Sequence, residues 1–326
     1  MKYAYYPGCS LSGTGLEYNI STQAVAPLLG IELCELPDWS CCGASSAHLQ
    51  DHTLALALPA RNAALGEEQG LSLAIPCAAC LSRSKAAEHA VKTSEDMRAQ
   101  IESLIDRPYQ ATYPVKSILE IFIDAGLDTL KENIIKPLTG LKVASYYGCL
   151  QARPTDFMDV DDPENPQTID TIVAALGAEP VSWSHKTECC GNSHPIAYPE
   201  VGGPLVNRIL EQAEKSGADC IVCACPMCLG NLDMRQKALG KKRGRPFNLP
   251  VFYFTQLMGL ALNLRPKKLG LKKHFISPIP LLSKKDLLKR IKIKKVKNKP
   301  ADTPVPASES TETPTPNPDN KKGGPA

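Results

Sequence analysis

Apolar residues come in short runs set between stretches of helical periodicity, the pattern of strands alternating with helices. Lys2–Tyr6 reads as a strand ended by Pro7 and Gly8, residues 15–29 carry helical spacing, and Ile31–Leu36 reads as a second strand. Leu49–Gln69 is an Ala/Leu-rich helix, and Leu71–Ile75 is a buried strand. Behind Pro76, a residue suited to a helix start, Cys77 opens another helix. The order recurs with strand Lys142–Tyr147, helix Pro166–Leu176, strand Pro180–Trp183, helix Val201–Ser216, strand Asp219–Cys223 and a helix from Cys225. Residues 94–139 between the halves read as mostly helical, and 251–264 as a core helix. Alternation of this kind predicts an α/β fold with a small parallel sheet in each half, and ligand sites at the carboxyl ends of the strands.

Beyond Leu264 the periodicity gives way to Lys-rich and then Pro-rich sequence. The expected organisation is an N-terminal domain with its helical connector at 1–140, a second domain at 141–264, a basic extension at 265–298 and a disordered tail at 299–326. Charge supports this division. The formal total of +3 hides fourteen Lys/Arg against one acid over 265–299, which leaves residues 1–264 near −8. The basic extension is expected to dock on an acidic partner subunit. An anionic membrane face is the weaker alternative, through an amphipathic helix over 281–296, and nucleic acid is not expected.

The opening residues Met1 to Cys9 lack the apolar core of a secretory signal, so a cytoplasmic location is expected. The apolar run 251–264 contains Thr255, Gln256 and Asn263, and falls short of the ~20 residues a bilayer requires. Cysteine is abundant all the same: 13 residues in a chain expected to meet reducing conditions, which favours metal or redox chemistry over structural disulfides.

Ten of the thirteen form one pattern written twice: Cys9, Cys41, Cys42, Cys77, Cys80 and Cys149, Cys189, Cys190, Cys225, Cys228. The gap from Cys-Cys to Cys-x-x-Cys is 34 residues in both copies, while the first gap is 31 in one and 39 in the other. A duplication with one insertion accounts for this. A Cys-x-x-Cys at a helix start presents two soft sulfurs to one centre, and the helix N-terminus favours their negative charge. Adjacent cysteines in a tight turn reach a polynuclear cluster more readily than a single ion. Five thiolates per copy are one more than a tetrahedral zinc or a cubane cluster takes from protein.

The doubled Cys-Cys-Gly with its leads Tyr6-Pro7-Gly8-Cys9 and Tyr147-Gly148-Cys149 resembles the CCG-domain proteins, and residues 1 to about 283 resemble the B subunits of heterodisulfide reductases. Further stretches carry the second likeness: Asp161 to Pro166, Lys186 to Gly191, Cys225 to Asp233 and Leu269 to His274. The resemblance implies two pseudo-repeated Rossmann-like CCG domains. It implies two noncubane [4Fe–4S] clusters, one on Cys9, Cys41, Cys42, Cys77 and Cys80, the other on Cys149, Cys189, Cys190, Cys225 and Cys228. It implies an oxidoreductase of methanogenesis or anaerobic energy metabolism that reduces a disulfide, of the CoM-S-S-CoB type or a bacterial equivalent, between the clusters by successive one-electron transfers. Implied partners are a ferredoxin-like C subunit and a flavin-containing A subunit. Two departures stand out: the 34-residue gap is about one residue shorter than the family pattern, and the tail is longer.

Two other readings compete. Iron–sulfur subunits of quinone-linked lactate, glycolate or succinate-type dehydrogenases also carry doubled CCG domains, though often with ferredoxin-type Cys runs not found here. A zinc scaffold would leave one thiolate per half without a role. No Gly-x-Gly-x-x-Gly fingerprint for flavin or nicotinamide occurs. Among side chains outside the repeat, His48, His194 and Lys186 are weak catalytic candidates, as proton donors and as a cation for an anionic substrate. Cys34, Cys220 and Cys223 read as buried strand thiols. Residues 242–246 read as a solvated loop, and 156–164 as a loop cap that lacks the glycine of a calcium loop.

Overall fold

Among the described residues, eight short strands build two four-stranded parallel sheets of the same design. The computed structural model describes residues 1–44, 46–191 and 198–291. The first sheet consists of β1 (Lys2–Tyr5), β2 (Glu32–Glu35), β3 (Leu73–Ile75) and β4 (Val115–Ser117) in the order β2-β1-β3-β4. The second consists of β5 (Lys142–Tyr146), β6 (Glu179–Pro180), β7 (Cys220–Cys223) and β8 (Val251–Tyr253) in the order β6-β5-β7-β8. Every pairing is parallel, in registers such as Ala4 with Leu73 and Val143 with Cys220. The central strands β3 and β7 are buried along their whole length, as helices on both faces of a parallel sheet require.

In this order the chain leaves β1 toward one edge and β3 toward the other, so a crevice opens beyond their carboxyl ends; β5 and β7 do the same. Cys9 follows β1 and Cys77 follows β3. Cys149 follows β5 and Cys225 follows β7.

The strands β4 and β8 depart from the sequence expectation. The connector 94–139 contains helices Glu95–Ile105, Ile118–Asp124 and Leu127–Glu132, but also β4; the stretch 251–264 is β8 followed by helix Phe254–Ala261. Both strands are three residues long and turn at once into a helix, by one device. The amide of the last strand residue donates to a side chain three residues on: Ser117 N to Glu120 Oε2 at 2.6 Å, and Tyr253 N to Gln256 Oε1 at 3.0 Å. The helix expected over 49–69 is divided, because Asp51 accepts from Leu54 N at 2.7 Å and caps His52–Glu68, leaving Ala47–Gln50 as a separate turn. At Pro180–Trp183 regular pairing stops after Pro180, and one further bond joins Val181 N to Val143 O.

Met1–Ile291 forms one compact unit, and its apolar interior runs continuously from the first half into the second. Helix Leu16–Val25 of the first half packs on helix Phe254–Ala261 of the second, where Ser21 Oγ and Thr255 Oγ1 share a buried hydrogen bond of 2.7 Å. No helix of the described residues is long and apolar enough to cross a membrane. Residues 292–298 of the basic extension and the whole tail lie outside the described residues.

Candidate cysteine-lined redox site

The lone cysteine of each half sits just beyond its first strand. Tyr6 and Tyr146, three residues earlier, stand at the ends of those strands and serve the site in the same way. Tyr6 Oη donates to Ser40 O at 2.8 Å and Tyr146 Oη donates to Glu188 O at 2.6 Å. Each accepting carbonyl immediately precedes a Cys-Cys pair, so one tyrosine ties the end of the strand to the cysteine turn. An indole supports each ring, Trp39 on Tyr6 and Trp183 on Tyr146. Burial raises both phenols well above their usual range, so they stay protonated beside the thiols.

The Cys-Cys-Gly turns are fastened from below. In the first half Ser40 and Asn62 exchange two hydrogen bonds of 2.9 Å; in the second Asn231 Nδ2 donates to Cys190 O at 2.5 Å. Gly43 and Gly191 both have φ of 70°, and a Cβ on Gly43 would lie 2.7 Å from Ala47 Cβ. Glycine therefore permits the turn that sends adjacent side chains apart. The first cysteine of each pair, Cys41 or Cys189, is exposed and receives the glycine amide at 3.4 and 3.3 Å; the second, Cys42 or Cys190, is buried.

The buried thiols form a continuous line. Cys42 Sγ lies 3.1 Å from Cys80 Sγ, and Cys190 Sγ lies 3.8 Å from Cys228 Sγ. Cys80 interacts with Cys77, Cys77 with Cys225 across the two halves, and Cys225 with Cys228. Six sulfurs thus run from one half into the other. Hydrogen bonds along the line split their acidities: Cys80 holds Cys42 down to about 7, while Cys228 and Cys77 hold Cys225 well below the usual thiol range. Cys77, Cys80 and Cys228 are pushed up as donors, through Cys225, Cys42 and Cys190 respectively. In the second half Cys149 bonds to Cys189 and is pushed up by it.

The surroundings fit a polynuclear sulfur-ligated group. The five soft donors of each half sit on three loops that follow strands of one parallel sheet, and the buried Gln151 Nε2, two residues past Cys149, has no partner among the described residues. Gly148 (φ 70°) leaves a hollow in which a Cβ would stand 2.9 Å from Cys228 Sγ. Among the described residues no three Cys, His, Asp or Glu side chains are gathered closely enough to hold a single metal ion.

The other sequence candidates fall elsewhere. Lys186 is buried, its Nζ 3.0 Å from both Asp170 Oδ2 and Pro166 O, and Tyr147 Oη donates to the same carboxylate at 2.8 Å. Its carbonyl accepts from Tyr147 N and Gly148 N, so Lys186 anchors the loop that presents Cys149. His48 is exposed in the turn Ala47–Gln50, and His194 lies outside the described residues. Cys220 and Cys223 are buried in β7, whereas Cys34 is half-buried on β2. Asp161 accepts from Thr168 N at 2.7 Å and so caps the helix Thr168–Ala175. Sequence reasoning passed over Gln151, Asn62 and Asn231, because a lone amide carries no spacing signal. Tyr6 and Tyr146 had one, their equivalent places in the repeat.

Comparison with known proteins agrees with the duplication. The profile of the CCG cysteine-rich domain matches twice, at residues 3–83 and 143–233. The chain is 37% identical over 288 residues to the 8-methylmenaquinol:fumarate reductase membrane anchor subunit of Wolinella succinogenes, covering 86% of this chain and 99% of that protein. It is 31% identical over 290 residues to the B subunit of the ferredoxin:CoB-CoM heterodisulfide reductase of Methanosarcina mazei, covering 87% and 96%. A protein of Archaeoglobus profundus described as like the heterodisulfide reductase B subunit is 30% identical over 300 residues, covering 89% and 98%. Among solved structures, a hypothetical protein from Helicobacter pylori shares the fold, with a TM-score of 0.66 at 12% identity over 85% of this chain. This chain spans 52% of that protein's length. Two matched repeats, each carrying its five cysteines to the carboxyl edge of a parallel sheet, place the chain in the CCG cysteine-rich domain family, among relatives that include heterodisulfide reductase B subunits.

Proposed function

We propose that this chain is the iron–sulfur subunit of an oxidoreductase complex and that it reduces a disulfide, taking up two electrons and two protons to release two thiols. The observation that carries the reading is the line of thiols from Cys42 to Cys190, which joins the two five-cysteine sets through Cys77 and Cys225. Cys9, Cys41, Cys42, Cys77 and Cys80 would hold one four-iron cluster and Cys149, Cys189, Cys190, Cys225 and Cys228 the other. Such clusters supply one-electron chemistry, one electron each for the two that a disulfide needs.

The chain's own residues set the stage for this. Gly43 and Gly191 amides support the exposed sulfurs of Cys41 and Cys189, and Tyr6 and Tyr146 hold those turns against the sheets. The exposed cysteines, Cys9 and Cys41 in one half and Cys189 in the other, mark the side that a substrate can approach. Electrons come from partner subunits, as expected for a chain without a flavin or nicotinamide fingerprint. A ferredoxin-like C subunit and a flavin-bearing A subunit are the proposed suppliers, and the cytoplasm the proposed location.

A second reading rests on a specific likeness. The 37% identity to a quinol:fumarate reductase anchor subunit favours a role in passing electrons between a quinone pool and a dehydrogenase of the succinate type. Iron, acid-labile sulfide and zinc per chain, measured on anaerobically purified protein, test the cofactor. About four iron and four sulfide per half support both redox readings, and zinc without sulfide overturns them. Turnover of a disulfide with a reduced viologen dye, set against reduction by a menaquinol analogue, then separates the two.

A further inference from the structure

The helix that carries Cys228 in its first turn, Pro226–Met234, ends at a surface cleft of about 710 Å³. One wall is helix Gln236–Arg243 with Lys237 and Lys241, and the other is the segment at Phe275 and Ile276. Lys237, Lys241 and Lys242 are exposed and make no ion pair with any described residue, although residues 1–264 as a whole are acidic. Two carboxylates beside the cleft are already committed. Glu214 is taken by Arg243 at 2.9 Å and by Arg245 at 3.1 Å, while Asp233 is buried as the floor of the cleft. The surface therefore presents uncompensated positive charge.

Beside this charge stands an aromatic side chain held out of the protein. Phe275 is 71% exposed and Met234 47%. The backbone of Phe275 is not loose: its amide donates to Asp233 Oδ2 at 2.7 Å and the amide of Ile276 to Oδ1 at 2.9 Å. A fixed, exposed aromatic on a cationic rim has the makeup of an interface anchor, its ordering cost already met by the fold. A projecting aromatic on the rim of a cleft suits a shaped protein surface better than a flat lipid one.

We propose that this cleft is the docking site for an acidic, electron-carrying protein, which seats an apolar pocket over Phe275 and acidic side chains against Lys237 and Lys241. Position gives the contact a purpose. At a rise of 1.5 Å per residue, Met234 lies about 9 Å along the helix axis from Cys228, so a redox centre bound here faces the second five-cysteine set through a single helix. The proposal rests on the redox reading above and adds the entry side for electrons.

The test uses the full-length protein and a small acidic [4Fe–4S] ferredoxin as probe. Affinity of the oxidised probe is measured by thermophoresis, and the rate of electron entry from the reduced probe by stopped-flow absorbance. Lys237→Glu with Lys241→Glu is expected to weaken binding and slow electron entry about tenfold at low salt and to flatten the salt dependence; Phe275→Ala is expected to weaken binding without changing that dependence. Reduction by dithionite and iron content stay at wild-type values. Binding and electron entry unchanged in the double variant would overturn the proposal. So would vesicles rich in phosphatidylserine that bind the wild type and lose the double variant while ferredoxin affinity stays constant, since the cleft would then be a lipid face. The binding arm does not depend on cluster content, so failure of the redox reading is seen separately, in the iron analysis.

Discussion

Tyr18 from the first half lies flat on Tyr253 from the second, ring centroids 4.1 Å apart and planes 4° from parallel, while Tyr18 Oη donates to Ala224 O at 3.3 Å. Ala224 precedes Cys225, so a core contact of one half steadies a cysteine of the other. Removing the ring by Tyr18→Ala is expected to cost about 3–5 kcal/mol, whereas Tyr18→Phe keeps the stack and loses about 1 kcal/mol. Urea unfolding under anaerobic conditions reads the first difference. Iron per chain reads the second, with a loss in Tyr18→Phe expected in the half that holds Cys225.

The repeat makes the two cysteine sets separately breakable. Cys42→Ala and Cys190→Ala each remove the buried member of one pair. Each is expected to lower iron by about half and to abolish disulfide cleavage, with the other half's electronic spectrum intact. Turnover retained by either variant would contradict a reaction that needs both halves.

Gly148 and its counterpart Gly8 offer a graded version of the same experiment. Both have positive φ, but a Cβ would stand 2.9 Å from Cys228 Sγ at Gly148 and 3.6 Å from Cys80 Sγ at Gly8. The backbone strain is common to both, of order 1 kcal/mol. The encroachment on sulfur is not. Gly148→Ala is expected to lose iron from the second half at once, and Gly8→Ala to keep most of its iron while unfolding at slightly lower urea.

Asp233 and His274 give the fold opposed pH dependences. Burial pushes the Asp233 carboxyl up to about 6, so this group supports the fold below the unfolded carboxylate value near 4 and loses that support as pH rises through 6. Burial pushes His274 down to about 4, so its support is complete above the unfolded imidazole value of about 6.5 and is lost as pH falls through 4. The imidazole accepts from Gln256 at Nε2, with Nδ1 3.8 Å from the carboxylate. In the wild type these slopes largely cancel between pH 4 and 6. Asp233→Asn should leave a fold that gains on the order of 2 kcal/mol over that window, and His274→Gln one that loses a similar amount. Urea midpoints measured in half-unit steps of pH check both signs.

The elements legible in the sequence were those whose period or chemistry repeats. The strands β1, β3, β5 and β7 are short apolar runs against Gly, Pro or Cys. The ten cysteines announced their common edge, because each group follows a strand in the same direction. β4 and β8 were hidden by length: three residues do not establish a period of two, and Val251–Tyr253 runs without a break into an apolar helix. Offset by 136 residues, however, the two match, down to Glu120 and Gln256 reaching back to the strand end. Contact between the halves was invisible for another reason. Nothing local in Cys77 or Cys225 marks a thiol that meets its counterpart across a duplicated fold. The spare charges at Lys237 and Lys241 likewise stand out only once Glu214 is seen to be taken.

The line of thiols from Cys42 to Cys190 also bears on how the protein matures. Before metal arrives, any one of these sulfurs that oxidises has a neighbouring thiol with which to close a bond, and exchange can carry that bond along the row. Cys41 and Cys189, the exposed neighbours of the two ends of the row, are where an oxidant from solvent first meets these thiols. On the iron–sulfur reading proposed above, iron and oxidant therefore compete for the same sulfur atoms.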